Sequence, residues 1–238
     1  MSSVTVVIPA FNEEAEIAES VRRCQSALAT ITNEIIVVDD GSADGTKKEA
    51  QSTSVEVVSY YPNMGKGFAL KRGTEFAKGD VVVWMDAGSE IDAKDIGRYV
   101  SALGSADLAI GSKHHPESHV EAPAMRRFLS YGFHLVVRLL TGVQAKDTQV
   151  GLKVGKREAM QKVVRLMAVK RYAFDVEFLI IADLLKLRVV ELPVTMKLNK
   201  GFKVGEIVRM ALDVLGVTYR LRISGQYRNN SGPYKPSI

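Results

Sequence analysis

A chain of 238 residues is long enough to bury one substantial core, and a hydrophobic content of 46% excludes wholesale disorder. Lys and Arg outnumber Asp and Glu by 32 to 27, an excess that suits anionic ligands or an anionic membrane surface, and no basic–aromatic motif of a nucleic-acid module accompanies it. The single cysteine, Cys24, excludes an internal disulfide and fits a reducing compartment. The opening residues read as a strand, so no leader is expected. The greasiest stretch, from Phe128 to Val143, is interrupted by His134 and Arg138 and is too short to cross a bilayer, so any membrane association is expected to be peripheral.

Strand and helix patterns alternate as far as Ser112. Strands are expected at Val4–Ile8, Glu34–Val38, Val55–Ser59, Val81–Met85 and Leu108–Ile110. Asn12 is placed to cap the first helix, with Glu13 and Glu14 in its opening turn and an apolar stripe of Ile17, Val21, Cys24 and Leu28 beyond. That stripe makes Cys24 a core residue rather than a nucleophile. Ile96, Val100 and Leu103 form the stripe of a later helix. Alternating βα units imply a parallel sheet covered on both faces through right-handed crossovers.

After Ser112 the character changes. His114–Pro123 reads as a loop, with Pro116 arguing against a helical metal set of its histidines. Ala124–Leu140 reads as a helix, Lys146–Gly155 as a polar and glycine-rich stretch, Asp175–Leu185 as a helix and Val189–Val194 as a strand. Val204 to Leu215 has helical spacing, and Ser224–Ile238 reads as a mobile tail.

Two strands stop at acids: Ile35–Val38 runs into Asp39, Asp40, Gly41 and Ser42, and Val81–Met85 into Asp86, Ala87, Gly88, Ser89 and Glu90. Such a run reads as a buried parallel strand delivering its carboxylate to the sheet's carboxyl edge, where open α/β sheets bind ligands. Helix capping is the alternative use of acids after strands. The Gly65-Lys66-Gly67 segment brings backbone close to an anion with a lysine point charge beside it, or is simply a turn; it is not a Walker loop, because no Ser or Thr follows the lysine.

The turn Pro9-Ala10-Phe11-Asn12-Glu13-Glu14, the acids at 39–40, Asn63–Gly67, the segment from Asp86, Gly111–Lys113, Asp147–Lys153 and Ala173–Glu177 together resemble the family 2 glycosyltransferases of the GT-A fold. They look like the branch that transfers a hexose to dolichyl or polyprenyl phosphate, over roughly residues 4 to 205. The resemblance implies an α/β fold, a Rossmann-like and mostly parallel sheet flanked by helices, with an acceptor half carrying amphipathic helices. Residues 1–112 would bind the nucleotide-sugar, 113–223 the acceptor, and 224–238 would be the tail. It implies nucleotide contacts from Pro9, Ala10, Glu13, Asp39 and Lys66, with Asp40 holding the turn through Gly41 and Ser42 and Asp44 capping the next helix.

The family's Asp-x-Asp pair is incomplete here, because Gly88 stands in its second position. A Mg2+ or Mn2+ ion takes about six oxygens, several of which a diphosphate and water supply, so Asp86 with Glu90 is the expected metal set. An acceptor phosphate is already anionic at neutral pH and needs no general base. It needs cations, for which Lys113, Arg127 and Lys203 are the candidates with Arg126 beside them, and Gln149 lies near the sugar or acceptor phosphate. Asp175 and Glu177 diverge on a helix, so they form no acid–base pair; the resemblance has them order the acceptor loop.

The helix Ala124–Leu140 has a narrow polar face of Arg127, Tyr131, His134 and Arg138, and it suits a core, a dimer contact or a membrane interface. Val204–Leu215, followed by Arg220 and Arg222, is a second element of this kind. The expected function is inverting transfer of a hexose from UDP-glucose or GDP-mannose to dolichyl or polyprenyl phosphate, on the cytoplasmic face of a membrane and without nucleic acid. The Asn-x-Gly-Lys-Gly and Asp-Thr-Gln wording leans towards glucose. The alternatives are a soluble transferase acting on a saccharide or protein hydroxyl, and an inactive nucleotide-sugar-binding partner subunit.

Overall fold

The computed structural model describes residues 2–88, 90–121, 123–143, 145, 147, 150–171, 173–197 and 204–229, with residues 124–131, 134, 204–208, 228 and 229 described by backbone alone. Nine strands are present among them: β1 (Val4–Ala10), β2 (Asn33–Asp39), β3 (Glu56–Ser59), β4 (Val81–Trp84), β5 (Leu108–Gly111), β6 (His119–Glu121), β7 (Lys153–Lys156), β8 (Val189–Leu192) and β9 (Thr195–Lys197). Seven form one sheet in the order β3-β2-β1-β4-β7-β5-β8, and β6 pairs with β9 in a separate parallel ribbon. Within the large sheet every pairing is parallel except those of β7, which runs antiparallel to both β4 and β5.

The helices are α1 (Ile17–Ala27), α2 (Thr46–Gln51), α3 (Lys66–Phe76), α4 (Ile96–Ala102), α5 (Ala124–Thr141), α6 (Arg157–Leu166), α7 (Phe174–Leu184), α8 (Val204–Arg222) and α9 (Gln226–Asn229). Strand residues alternate between two cores, as the pleat requires. Val7, Ile36, Val38, Val82 and Trp84 pack with α3, α6 and α7 on one face. Val6, Ile8, Ile35, Val37 and Val83 pack with α1 and α4 on the other. Trp84 is the largest wholly buried side chain; its indole lies 4.8 Å from the Phe178 ring, and its N–H donates to Thr74 Oγ1.

The expected stripe Ile17, Val21, Cys24 and Leu28 is buried against the sheet. Burial pushes the Cys24 thiol up to about 12, against a smaller lowering by Arg23, so it is a core group.

Four expectations change. His114–Pro123, expected as a loop, carries β6 at His119–Glu121, a strand because β9 supplies its ladder partner. Asn12 does not cap α1, which begins five residues later at Ile17; it takes a left-handed φ of 55° and spends its amide on the N–H of Ala43, tying the β1 turn to the β2 turn. The stretch ending at Gly155 contains β7, whose polar-looking Lys153-Val154-Gly155-Lys156 is a strand because it completes ladders on both sides. The tail expected from Ser224 opens with α9, because Tyr227 is 2% exposed and donates its hydroxyl to Glu177. Residues 230–238 lie outside the described residues.

Candidate active site

The chain runs from β1 to β2 on one side of the sheet and reaches β4 on the other. The crevice outside the carboxyl ends of β1 and β4 is therefore the sheet's switch point, where this class of fold binds ligands. β1 delivers Pro9 and Ala10 to that edge, Ala10 fully within the core, and Glu13 follows with its N–H on Thr46 Oγ1. Asp44 stands one residue before the N-cap Gly45 rather than at the cap expected of it, and its carboxylate accepts the N–H of Thr46, the first residue of α2.

Asp39 and Asp40 are both 3% exposed, and the turn expected of Asp40 is held by Asp39. Asp39 holds the turn: its Oδ1 accepts the Ser42 N–H at 3.0 Å and its Oδ2 the Ser59 hydroxyl at 2.8 Å. Asp40 instead gathers the loop before α3, accepting the Met64 and Gly65 N–H groups at 2.7 Å each and the Asn63 amide at 2.9 Å. Successive strand residues face opposite sides of the pleat, so only the packing of the 60–65 loop decides which acid it receives.

That loop leads into Lys66. Gly65 has φ of +100°, and a Cβ on it would stand 2.4 Å from the Lys170 carbonyl oxygen; one on Gly67 would stand 2.7 Å from Phe174 Cβ. The two glycines thus seat the turn against Val169, Lys170, Arg171 and Phe174, and the Gly67 N–H donates to Lys170 O at 2.8 Å. Lys66 alone turns to the crevice, where its Nζ lies 2.6 Å from Asp86 Oδ1. Desolvation lowers the lysine's affinity for its proton, but Asp86, Asp175 and Glu90 outweigh it and hold the ammonium above the ordinary lysine range.

Behind this pair lies a second one. Lys153, 3% exposed on β7, donates to Asp175 Oδ1 at 2.5 Å and to the Val150 carbonyl at 2.6 Å. Burial raises the Asp175 pKa, with Lys153 and Lys66 pulling against it. Three carboxylates, Asp86, Asp175 and Glu90, therefore meet two ammonium groups. Asp86 is about one-third exposed at this open edge, so its carboxylate is the one that could take a divalent cation whose other ligands are diphosphate oxygens, with Glu90 as the second candidate. Among the described residues no group of three or more His, Cys, Asp or Glu side chains gathers into a protein-only metal cage.

Residues that sequence reasoning missed hold Asp86 in place. A Cβ on Gly151 would lie 2.3 Å from the Asp86 carboxyl carbon, so only glycine lets the loop before β7 back directly onto it. The Ser20 hydroxyl donates to the Ala87 carbonyl, and Arg23 of the same helix donates to Gly88 O at 3.3 Å. Gly88 itself is not demanded by space: a Cβ there meets nothing nearer than Glu16 Oε2 at 3.6 Å. Gly151→Ala should therefore displace the Asp86 carboxylate and lower turnover by about ten- to a hundred-fold while leaving the thermal midpoint within a few degrees, checked by initial rates beside a melting curve. An unchanged rate would sink that assignment.

Lys113 is mostly enclosed after β5; its backbone N–H donates to Asp147 at 2.9 Å, and its ammonium is 3.5 Å from the same carboxylate. Arg127 lies on α5 and is described by backbone alone, while Gln149 and Lys203 lie outside the described residues. Asp175 and Glu177 take separate partners from α7, as their divergence required.

Comparison with known proteins places these features. Residues 5–164 match the family model for Glycosyl transferase family 2. The chain is 32% identical to the dolichyl-phosphate beta-glucosyltransferase of Mus musculus, over 94% of this chain and 77% of that one, and 31% identical to the Homo sapiens protein of the same name over the same shares. The Saccharomyces cerevisiae dolichyl-phosphate beta-glucosyltransferase is 30% identical over 95% of this chain and 77% of its own. Among solved structures, glucosyl-3-phosphoglycerate synthase from Mycobacterium tuberculosis in complex with UDP superposes with a TM-score of 0.72 at 20% identity, covering 95% of this chain and 80% of that one. The same enzyme with Mn2+, UDP and glucosyl-3-phosphoglycerate gives 0.71 at 22%, over 92% and 79%. At that identity the likeness shows the shared fold, the mostly parallel GT-A sheet flanked by helices.

Proposed function

We propose that this chain, which belongs to glycosyl transferase family 2, transfers glucose with inversion from UDP-glucose to a polyprenyl phosphate of the dolichyl type. The observation that carries the reading is the Lys66–Asp86 pair, at 2.6 Å, in the crevice between β1 and β4. It joins a cation for a nucleotide's phosphates to a carboxylate for their counter-ion. The names of relatives 30–32% identical over nearly the whole chain support glucose as the sugar and dolichyl phosphate as the acceptor.

In this reading Pro9, Ala10, Glu13 and Asp39 contact the nucleotide, and Lys66 offers its ammonium to the diphosphate. Asp86 and Glu90 would hold Mg2+ or Mn2+, which when bound supplies charge neutralisation to the departing diphosphate. The acceptor phosphate is seated by Lys113, Arg127, Gln149 and Lys203, with residues 113–223 forming the acceptor half. One of its oxygens attacks C1 from the face opposite the leaving group. A C1–O bond to the acceptor forms as the C1–O bond to UDP breaks, and no proton moves, because the attacking oxygen is already ionised. A hydroxyl acceptor would instead need a general base. Catalysis then belongs at a membrane surface, on the cytoplasmic side where nucleotide-sugars are made.

Purified protein given polyprenyl phosphate and labelled UDP-glucose should yield a label extractable into organic solvent, with GDP-mannose giving far less and EDTA suppressing the reaction. Gly88→Asp, for which there is room, should tighten Mn2+ binding by about ten-fold in a calorimetric titration. No lipid-linked product from any labelled donor would overturn the assignment.

A further inference from the structure

Lys66 and the proposed cation claim the same carboxylate. The Lys66 Nζ lies 2.6 Å from Asp86 Oδ1, a direct ion pair at the edge of the crevice. A carboxylate oxygen that accepts an ammonium proton points a lone pair at the lysine, and a divalent ion seated beside that ammonium would meet like charge. The two positive groups therefore exclude one another at Asp86.

The backbone under Lys66 is fixed, while its side chain is free to turn. The Gly67 N–H donates to Lys170 O at 2.8 Å, and a Cβ on Gly65 would strike that same carbonyl. From this anchored Cα runs a flexible four-carbon stem, about a third exposed. The ammonium also has a second seat within reach. Its Nζ is 5.7 Å from the centre of the Phe174 ring, and the next residue of α7 is Asp175, whose charge acts on Lys66. Asp175 is itself pinned by Lys153 at 2.5 Å, so it keeps its place whichever way Lys66 turns. A lysine set between two carboxylates, with only one in contact, moves readily when a stronger anion arrives. A nucleotide's diphosphate is such an anion.

We infer that Lys66 guards Asp86: its ammonium competes with the divalent cation for that carboxylate, and the donor's diphosphate draws it off, so that the cation enters with the nucleotide-sugar and poorly before it. The inference rests on the metal-assisted reaction proposed above, but it is read by binding, without acceptor or turnover.

Calorimetric titrations test it. Mn2+ alone should bind Lys66→Met about ten-fold more tightly than the natural protein, whereas UDP alone should bind the variant about ten-fold more weakly. Those opposite signs separate a lost competitor from a damaged site, which would weaken both ligands. Saturating UDP should tighten Mn2+ binding by a factor about ten-fold larger in the natural protein than in Lys66→Met. Lys66→Arg, which keeps the charge, should stay close to the natural protein for Mn2+. Lys71→Met removes the same charge five residues further along α3 and should leave the Mn2+ affinity unchanged. Asp86→Asn added to Lys66→Met should cancel the gain.

Mn2+ affinity that is unchanged or lower in Lys66→Met would overturn the inference. An equal gain in Lys71→Met would do the same, as would the absence of Mn2+ binding by either protein with UDP present. Normal lipid-linked transfer without the gain sinks only the competition. The gain without transfer from any labelled donor sinks only the proposed reaction.

Discussion

Asp86→Asn is expected to lower kcat by about three orders of magnitude without unfolding the protein. Removal of one preorganised charged or hydrogen-bonding group aimed at a developing anion costs roughly 10² to 10³ in rate. In the proposed reaction Asp86 serves in two ways, as the principal carboxylate of the cation site and as the partner that holds the Lys66 ammonium 2.6 Å away. Asparagine keeps the size of the side chain and therefore the fit against Gly151, but it removes the charge.

Stability should scarcely move, because Asp86 and Lys66 are each about a third exposed and such pairs contribute at most about 1 kcal/mol. The measurement is a kcat beside a thermal midpoint and a Mn2+ titration: rate and cation affinity fall together while the midpoint stays. A variant with the natural rate would remove Asp86 from the chemistry.

The largest effect on stability is expected at Glu177, the wholly buried carboxylate of α7. It accepts the N–H groups of Ala168 and Val169, the latter at 2.7 Å, together with the Tyr227 hydroxyl, and lies 3.7 Å from the Arg220 guanidinium. Glu177→Ala would leave two backbone donors, a tyrosine hydroxyl and an arginine without their acceptor in the interior. Breaking a buried charged network from one side costs about 3–5 kcal/mol, a large part of the 5–15 kcal/mol that holds a domain together.

The urea midpoint should fall accordingly, and Glu177→Gln, which keeps an acceptor for one N–H, should lose less. Because Val169 precedes the Lys170 carbonyl that receives the Gly67 N–H, the Ala variant should also loosen the seat of Lys66 and raise KM for the nucleotide-sugar. An unchanged midpoint would show that the network is not holding the 168–169 segment or α9.

Glu177 also marks how far the sequence reaches. By itself it determined the alternating β and α elements up to Gly111 and the two carboxylate-ended strands. The core role of Cys24, too, was legible there. Each is a local record of burial: a β-branched run stays apolar because both faces of its strand are covered, and apolar residues three and four apart share one side of a helix. The motif fragments added the family, since their order survives where individual residues do not.

Only the tertiary structure decided that Lys153–Lys156 is a strand. Four residues carry too little periodicity to announce it, and its ladder partners on β4 and β5 come from elsewhere in the chain. The same holds for Asp40, whose role depends on a loop more than 20 residues away. It holds for Gly151, conspicuous only once it lies against Asp86, and for Arg23, which reaches Gly88 at a separation of 65 positions. Periodicity registers which side of an element is buried. It is blind to which distant backbone or charge fills the space, because that is set when the sheet assembles and neighbouring strand ends meet.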